Sequence, residues 1–314
     1  MRGWWQDLTD LVLPAECGGC GRLRTVLCPE CRAVLCDTVP CRVRPVPEPA
    51  GLPVVQAAAP YEDEVRAVLL AHKERGALAL AGPLGAALAG AVRAGLGERT
   101  PEAGAAGPVT GPGGLPPGKR ALAPAGCAGA VPEPVLLVPV PSARGAVRAR
   151  GHDPARRIAL AAAGELRRGG TAARVLGVLR QRRPVADQSG LNSRQRLDNL
   201  AGALEVAAGG RRLLAGAGRV VLVDDLMTTG ASLAEAARAV REACAAPPAD
   251  TRAYVSRTWA RAEVPMIDER AVTADERENR TRTRPDMAGT DLGRDRIRAA
   301  VVAASPDAFE INRN

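Results

Sequence analysis

Aromatic side chains are nearly missing from this chain. Its 314 residues include three Trp, two Tyr and one Phe. A ring-filled core is thereby excluded, and the interior must be built from Ala, Leu and Val. A base-stacking platform for nucleic acid is disfavoured for the same reason. Lysine is almost as scarce: Lys73 and Lys119 are the only two, so nearly all of the 43 basic residues are arginine. No apolar run reaches the roughly 18 residues of a membrane-spanning helix, which predicts no membrane insertion. The leader MRGWWQDLTDLVLPAEC has acidic residues inside its short apolar stretch and no h-region. It does not read as a secretion signal, and a cytoplasmic location is the expectation.

Apolar residues make up 46% of the chain, too many for a disordered protein. The net charge of +9 combines a basic 1–261, at about +11, with a tail over 262–314 that holds 9 Arg against 11 Asp and Glu. An arginine-rich surface suits phosphate-bearing partners, or simply reflects arginine used in place of lysine.

Eight cysteines are unevenly placed, six of them between Cys17 and Cys41. Cys17-Gly-Gly-Cys20 and Cys28-Pro-Glu-Cys31 are two CxxC pairs. Each can set two thiolates on one tight turn, and two such turns complete a tetrahedral four-sulfur site. Zinc is the expected metal, structural because a closed thiolate shell leaves no open position. Fe–S, redox thiols, and substitution of Cys36 or Cys41 as ligands are the alternatives.

The hydrophobic pattern then alternates between strands and helices. VVQAAA (54–59), VLLVPV (135–140), ARVLGVLR (173–180), RVVLVDD (219–225) and TRAYVSRT (251–258) read as strands. Residues 62–76, 77–96, 154–168 and 231–244 read as helices. Residues 181–198 are polar and read as a loop. The alternation predicts an α/β fold with a parallel sheet flanked by helices. Residues 97–134, rich in Gly, Pro and Ala, read as a flexible insertion. The charged tail 262–314 reads as disordered, with a short helix possible at 294–304. The organisation expected is a small zinc-ribbon-like module over 1–45, a domain over 46–261 interrupted by that insertion, and the tail.

The most informative stretch is VVLVDDLMTTGAS (220–232). A buried strand ends in Asp224 and Asp225, turns through Thr228-Thr229-Gly230 and enters a helix. The amides of 228–232 would converge at a helix N-terminus, where the dipole and unpaired donors favour an anion. Thr228, Thr229 and Ser232 add hydroxyl donors. The two carboxylates suit sugar hydroxyls beside a phosphate.

This segment resembles the phosphoribosyl pyrophosphate (PRPP) motif of type I phosphoribosyltransferases. More narrowly, VPVPSARGAVRARGHDPARRIALAAA (138–163), RRPVADQSGLNSRQRLDNLAGAL (182–204), YEDEVRAVLLAHKERG (61–76), LTDLVLP (8–14) and the cysteine pairs are similar to the ComF family. The resemblance spans most of 8–260. It implies a type I phosphoribosyltransferase-like fold and Mg-dependent transfer of the phosphoribosyl group from PRPP to an acceptor that the sequence does not identify. In it Asp224 and Asp225 bind the ribose hydroxyls, and Met227, Thr228, Thr229, Gly230, Ala231 and Ser232 hold the 5′-phosphate. Ser142, Arg144, Arg148 and Arg150 attend the pyrophosphate, with Gln188, Arg194 and Arg196 on a covering flap. The family's link to competence implies, alternatively, an accessory that binds single-stranded DNA during uptake, with partners such as a helicase. A third option is a sensor that binds PRPP without turnover.

Two departures stand out. The family's Gly-Phe-Asn-Gln is Gly151-His152-Asp153-Pro154, where His152 replaces a packing ring or acts as an acid or base. Thr228 stands where some relatives with purine acceptors carry a general-base Asp. Lys73 either faces the site or caps its helix.

Overall fold

In the computed structural model, residues 16–97, 134–185, 192–215, 218–245 and 297–312 are described. Among the described residues eight strands form two sheets: β1 (Cys41–Val43), β2 (Val55–Pro60), β3 (Val135–Pro139), β4 (Ala173–Val175), β5 (Leu179–Gln181), β6 (Leu204–Val206), β7 (Arg219–Met227) and β8 (Ile297–Ala304). The main sheet has the order β1-β2-β8-β7-β3-β4. All its pairs are parallel except β1 with β2. A separate antiparallel ribbon joins β5 to β6. The helices are α1 (Pro29–Cys36), α2 (Asp63–Lys73), α3 (Ala81–Leu96), α4 (Arg144–Arg150), α5 (Pro154–Arg168), α6 (Ser193–Leu200), α7 (Gly210–Ala215) and α8 (Ala231–Ala245). The chain is thus α/β, with a mostly parallel six-stranded sheet between helical layers and a cysteine cluster at its N-terminal side.

The apolar runs follow from burial on both faces of the sheet. Along β7, Val221 and Val223 enter one core beneath α2, α3 and α5, while Val220, Leu222 and Met227 enter the other beneath α8. β3 divides likewise, with Leu137 on the first side and Val138 on the second. A strand buried on both sides cannot alternate apolar with polar, so its sequence is continuous.

Three expectations are corrected. Residues 297–304, expected as disordered tail or short helix, are β8, in the middle of the sheet between β2 and β7. The domain that 46–261 was expected to bound therefore includes a strand from the tail. The charges averaged over 262–314 hid an uncharged run, Ala299–Ala304, in which small and β-branched side chains suit a buried strand. The single strand expected over 173–180 is two, β4 and β5, in different sheets. The loop expected over 181–198 holds most of α6, started by a capping box in which Asn192 and Gln195 exchange side-chain and backbone bonds. The strand expected at 251–258 and most of the insertion and tail lie outside the described residues.

Leu78–Leu96 is also long and apolar enough to cross a membrane by length and composition, contrary to the reading of the sequence. Its apolar face is occupied: Leu80, Leu84, Leu88 and Val92 are buried in the core. The helix packs on α5 at very short range. A Cβ on Gly85 would lie 2.5 Å from Ala161 Cβ and 2.8 Å from the Ala162 amide nitrogen. Ala159, Ala162 and Ala163 supply the facing surface. Small residues let the backbones approach and so fill space that rings would otherwise occupy.

Gly85→Ala is expected to destabilise the protein by about 1–3 kcal/mol, because overpacking outweighs the gain of up to ~1 kcal/mol in helix propensity. Gly82, on the same helix, has nothing within 4 Å of an added Cβ. Gly82→Ala should be neutral or stabilising. Urea denaturation of the pair checks this, and equal effects would contradict the close approach.

Candidate functional site

The carboxyl ends of β3 and β7 open on a cavity of about 630 Å³. Its floor is polar: Lys73, Ser142, Arg150, Asp224, Asp225, Thr228 and Ser232. Its wall is aliphatic, with Val185, Leu200 and Leu204 from the β5–β6 side. No aromatic ring is among the lining residues. Parallel strands present their ends to such crevices, where helix N-termini also point.

Lys73, the last residue of α2, reaches Asp225 with Nζ 2.8 Å from Oδ2. This decides its orientation: it faces the cavity. Asp225 is buried, whereas Lys73 keeps about a third of its side-chain surface. Burial alone would lower the lysine pKa, but the Asp225 charge and hydrogen bond, helped by Asp224, outweigh it and hold the amine above its usual range. The Asp225 amide donates to Asp224 Oδ1 at 2.9 Å. Asp224 is densely enclosed, and that burial, followed by the neighbouring Asp225 charge, pushes its carboxyl well above the usual carboxylate range. Like-charged neighbours resist double ionisation in a dry site, and a cation or hydrogen-bond donors arriving there would relieve the conflict.

After Asp225 the chain turns into α8. Gly230 has φ +74°, and a Cβ there would meet Leu52 at 3.1 Å and Pro45 at 3.3 Å. Glycine therefore serves both the left-handed turn and the close packing beneath it. Ala234 N–H bonds to Gly230 C=O, so the amides before it are left without intrahelical partners. Thr228 and Ser232 line the cavity. Met227, expected at the 5′-phosphate, ends β7 with its side chain in the core, since the strand runs two residues past the acidic pair. Thr229, Gly230 and Ala231 shape the turn without lining the cavity.

The expected pyrophosphate and flap residues divide. Ser142 and Arg150 line the cavity, and Arg150 also pairs with Glu74 at 3.0 Å, tying α4 to the end of α2. Arg144 and Arg148 line two smaller side cavities instead. Arg196 on α6 donates to Thr228 Oγ1 at 3.3 Å, so this helix already touches the turn after β7. Arg194 is exposed outside the cavity lining, and Gln188 lies outside the described residues.

Three features were not legible in the sequence. Gln181 and Leu204 enter the cavity from the β5–β6 ribbon, which no local signal separates from an ordinary loop. Leu204 is gripped by α8: Glu235 accepts its amide at 2.9 Å and Arg238 donates to its carbonyl at 2.8 Å. Burial would raise the Glu235 carboxyl, but Arg238 and the amides of Leu204 and Gly202 hold it below its usual range. The third feature is a contact between the two histidines, whose ring centroids lie 5.5 Å apart. Each Nδ1 faces a carbonyl, Ala77 at 3.3 Å and Arg150 at 3.2 Å, and must donate because a carbonyl cannot. His152 is thus a buried packing ring, as one of its two sequence readings held. Burial depresses the His72 pKa.

The four knuckle cysteines converge. The Sγ atoms of Cys17, Cys20, Cys28 and Cys31 all lie within 4.8 Å of one another, with Cys20 and Cys28 at 3.6 Å. A zinc tetrahedron with ~2.3 Å bonds needs sulfurs roughly 3.8 Å apart, so the quartet fits a metal of this kind. Gly19 admits no side chain, since a Cβ would lie 2.7 Å from Cys31 Sγ. Burial would raise the Cys17 thiol, but amides of Cys28, Cys20 and Gly19 outweigh it and bring its pKa to about 6. Burial pushes Cys31 up. Cys36 donates to the Pro83 carbonyl and Cys41 packs on the opposite core, so neither joins the quartet. Gly18 packs against Leu80 and Ala71, which docks the knuckle on α2.

Comparison of the chain with protein-family models and with curated proteins finds no match.

Metal analysis of the purified protein should give about one zinc per chain, and chelation should lower Tm by several degrees; a metal-free protein with unchanged Tm would exclude the site. Because the folded pKa of His72 lies below its unfolded value of ~6.5, its contribution is intact above pH ~6.5 and is lost as pH falls below it. His72→Leu should therefore flatten the decline of Tm between about pH 7 and 5, relative to the unchanged chain, in a thermal-melt series at fixed zinc.

Proposed function

We propose that the chain is a PRPP-binding protein of the type I phosphoribosyltransferase class. Within that class its motifs are those of a ComF-type protein. The observation that carries this reading is the Asp224–Asp225 pair near the end of a buried parallel strand, followed two residues later by a Thr-Thr-Gly-x-Ser turn into α8, with Asp224, Asp225, Thr228 and Ser232 on one cavity. Here the amides and hydroxyls at 228–232 hold the 5′-phosphate at the N-terminus of α8. Asp224 and Asp225 accept the ribose hydroxyls. Lys73, Ser142 and Arg150 face the diphosphate. Mg²⁺ bound with PRPP would supply charge neutralisation for the leaving diphosphate. Lys73 holds Asp225 in place through their ion pair, and α6 closes over the turn through Arg196, excluding water.

The transferase reading is preferred to a sensor because the cavity has space beside the phosphate turn, bounded by the aliphatic wall of Val185, Leu200 and Leu204. No carboxylate on the turn itself would take an acceptor proton; Thr228 stands there. The charge of the chain alone supports the nucleic-acid alternative, and no ring lines the site for a base.

Calorimetric titration with PRPP and Mg²⁺ tests the reading. Micromolar to submillimolar binding is expected, weakened at least tenfold in Asp224→Asn/Asp225→Asn with the fold retained by circular dichroism. Absence of binding at millimolar PRPP would end the proposal. Binding without pyrophosphate release for any acceptor would convert it to the sensor.

A further inference from the structure

The main cavity does not end at its own rim. Two further cavities, of about 380 and 350 Å³, continue from it. Gln181 lines all three, Ala143 and Val185 are shared with the first, and Pro141 and Ser142 with the second. Together they make a trough running from the Lys73–Asp225 pair across the end of β5.

The far part of this trough is arginine-rich. Arg180 and Arg183 are already engaged, the former by Glu205 at 2.9 Å and the latter by the carbonyls of Asn199 and Ala201, each at 2.9 Å. Arg144, Arg148 and Arg182 have no ion-pair or side-chain hydrogen-bond partner among the described residues. Among the described residues, the one carboxylate lining these side cavities is Asp153, and both its oxygens accept backbone amides, from Arg156 at 3.1 Å and Ser142 at 3.4 Å. Three guanidinium groups with no side-chain partner among the described residues thus border a concavity continuous with the site, where an anion would pair with them. The planar fork of arginine suits a carboxylate or phosphate, and no ring is among the described lining residues to select a flat neutral base by stacking.

We infer that this trough is the acceptor subsite and that it selects an acceptor bearing a carboxylate or phosphate, held by Arg182 and Arg144. The inference rests on the phosphoribosyl-transfer reading and adds the substrate class to it. In the reaction it implies, the acceptor's nucleophilic atom forms a bond to C1 of the ribose. The bond from C1 to the diphosphate oxygen breaks, its electron pair leaves with the diphosphate, and the acceptor's proton passes to that released group.

The test titrates full-length protein saturated with Mg–PRPP, using acceptor probes paired by charge: nicotinate against nicotinamide, and orotate against uracil. The charged member of a pair is expected to bind at least tenfold more tightly. Arg182→Ala, an exposed position, should abolish that preference while leaving affinity for Mg–PRPP unchanged. Equal or undetectable binding of the charged members overturns the inference, as does an equal loss of PRPP affinity in Arg182→Ala, which would give the trough to the diphosphate. Binding of a single-stranded oligonucleotide that Arg182→Ala removes, with no probe bound, also overturns it and assigns the trough to a nucleic-acid backbone. If Mg–PRPP itself does not bind, the underlying reading has failed, an outcome distinct from a lost charge preference.

Discussion

Close approach of layers built from small side chains is the constraint on which this protein depends. With almost no rings to fill space, the interior reaches native density only if helices lie nearly backbone to backbone and press on a sheet whose strands carry Ala and Val. The contact of Gly85 with Ala161 and Ala162 shows how little room remains between α3 and α5. The same economy operates at Gly19 against Cys31 and at Gly230 against Leu52 and Pro45. In each place glycine is the only residue that fits, and each is next to a feature with chemistry: the thiol quartet or the turn after β7. Packing and site geometry are therefore set by one requirement.

From that packing the electrostatics of the cavity follow. β7 is fixed by ladders on both sides, so its end delivers Asp224 and Asp225 to a defined place. α2, anchored by its core face and by the docked cysteine knuckle, delivers Lys73 to the same place. Neighbouring carboxylates in a poorly solvated site resist joint ionisation, and the lysine offsets only part of that conflict. The site is thus arranged to favour an incoming group that donates hydrogen bonds or brings positive charge. Around it, Arg150–Glu74, Arg196–Thr228 and the grip of Glu235 and Arg238 on Leu204 connect the elements that border the cavity.

Much of the strand and helix pattern was legible because its causes are local. Pro154–Arg168 begins where Asp153 caps it, with Pro154 in the first turn, as the sequence indicates. VLLVPV and RVVLVDD are buried strands because continuous apolar runs bounded by turns leave few other options. β8 was not legible from composition, because the 20 charged residues of the 53-residue tail dominate any average over it and hide a six-residue apolar run. The division of 173–180 into strands of two sheets was equally hidden, since both halves have strand character and only partners distinguish them. Lys73 was open for a different reason: a lysine in a last helical turn always suits the dipole, and only the position of β7 decides whether it also meets a carboxylate.

What the sequence by itself determined was the chemistry available: two CxxC pairs that can close on a metal, an acidic pair followed by a hydroxyl-rich glycine turn, and an arginine supply unaccompanied by rings. These depend on residue type and short spacing, which folding cannot change. What only the tertiary structure decided was which groups face one another. It paired Lys73 with Asp225, His72 with His152 and Glu235 with the backbone of Leu204, and it sent Arg144 and Arg148 to the side cavities while Arg150 kept to the main one. Such pairings join segments tens to more than a hundred residues apart. No local pattern encodes them, because they are fixed by the order of strands in the sheet and by the close packing of the helices upon it.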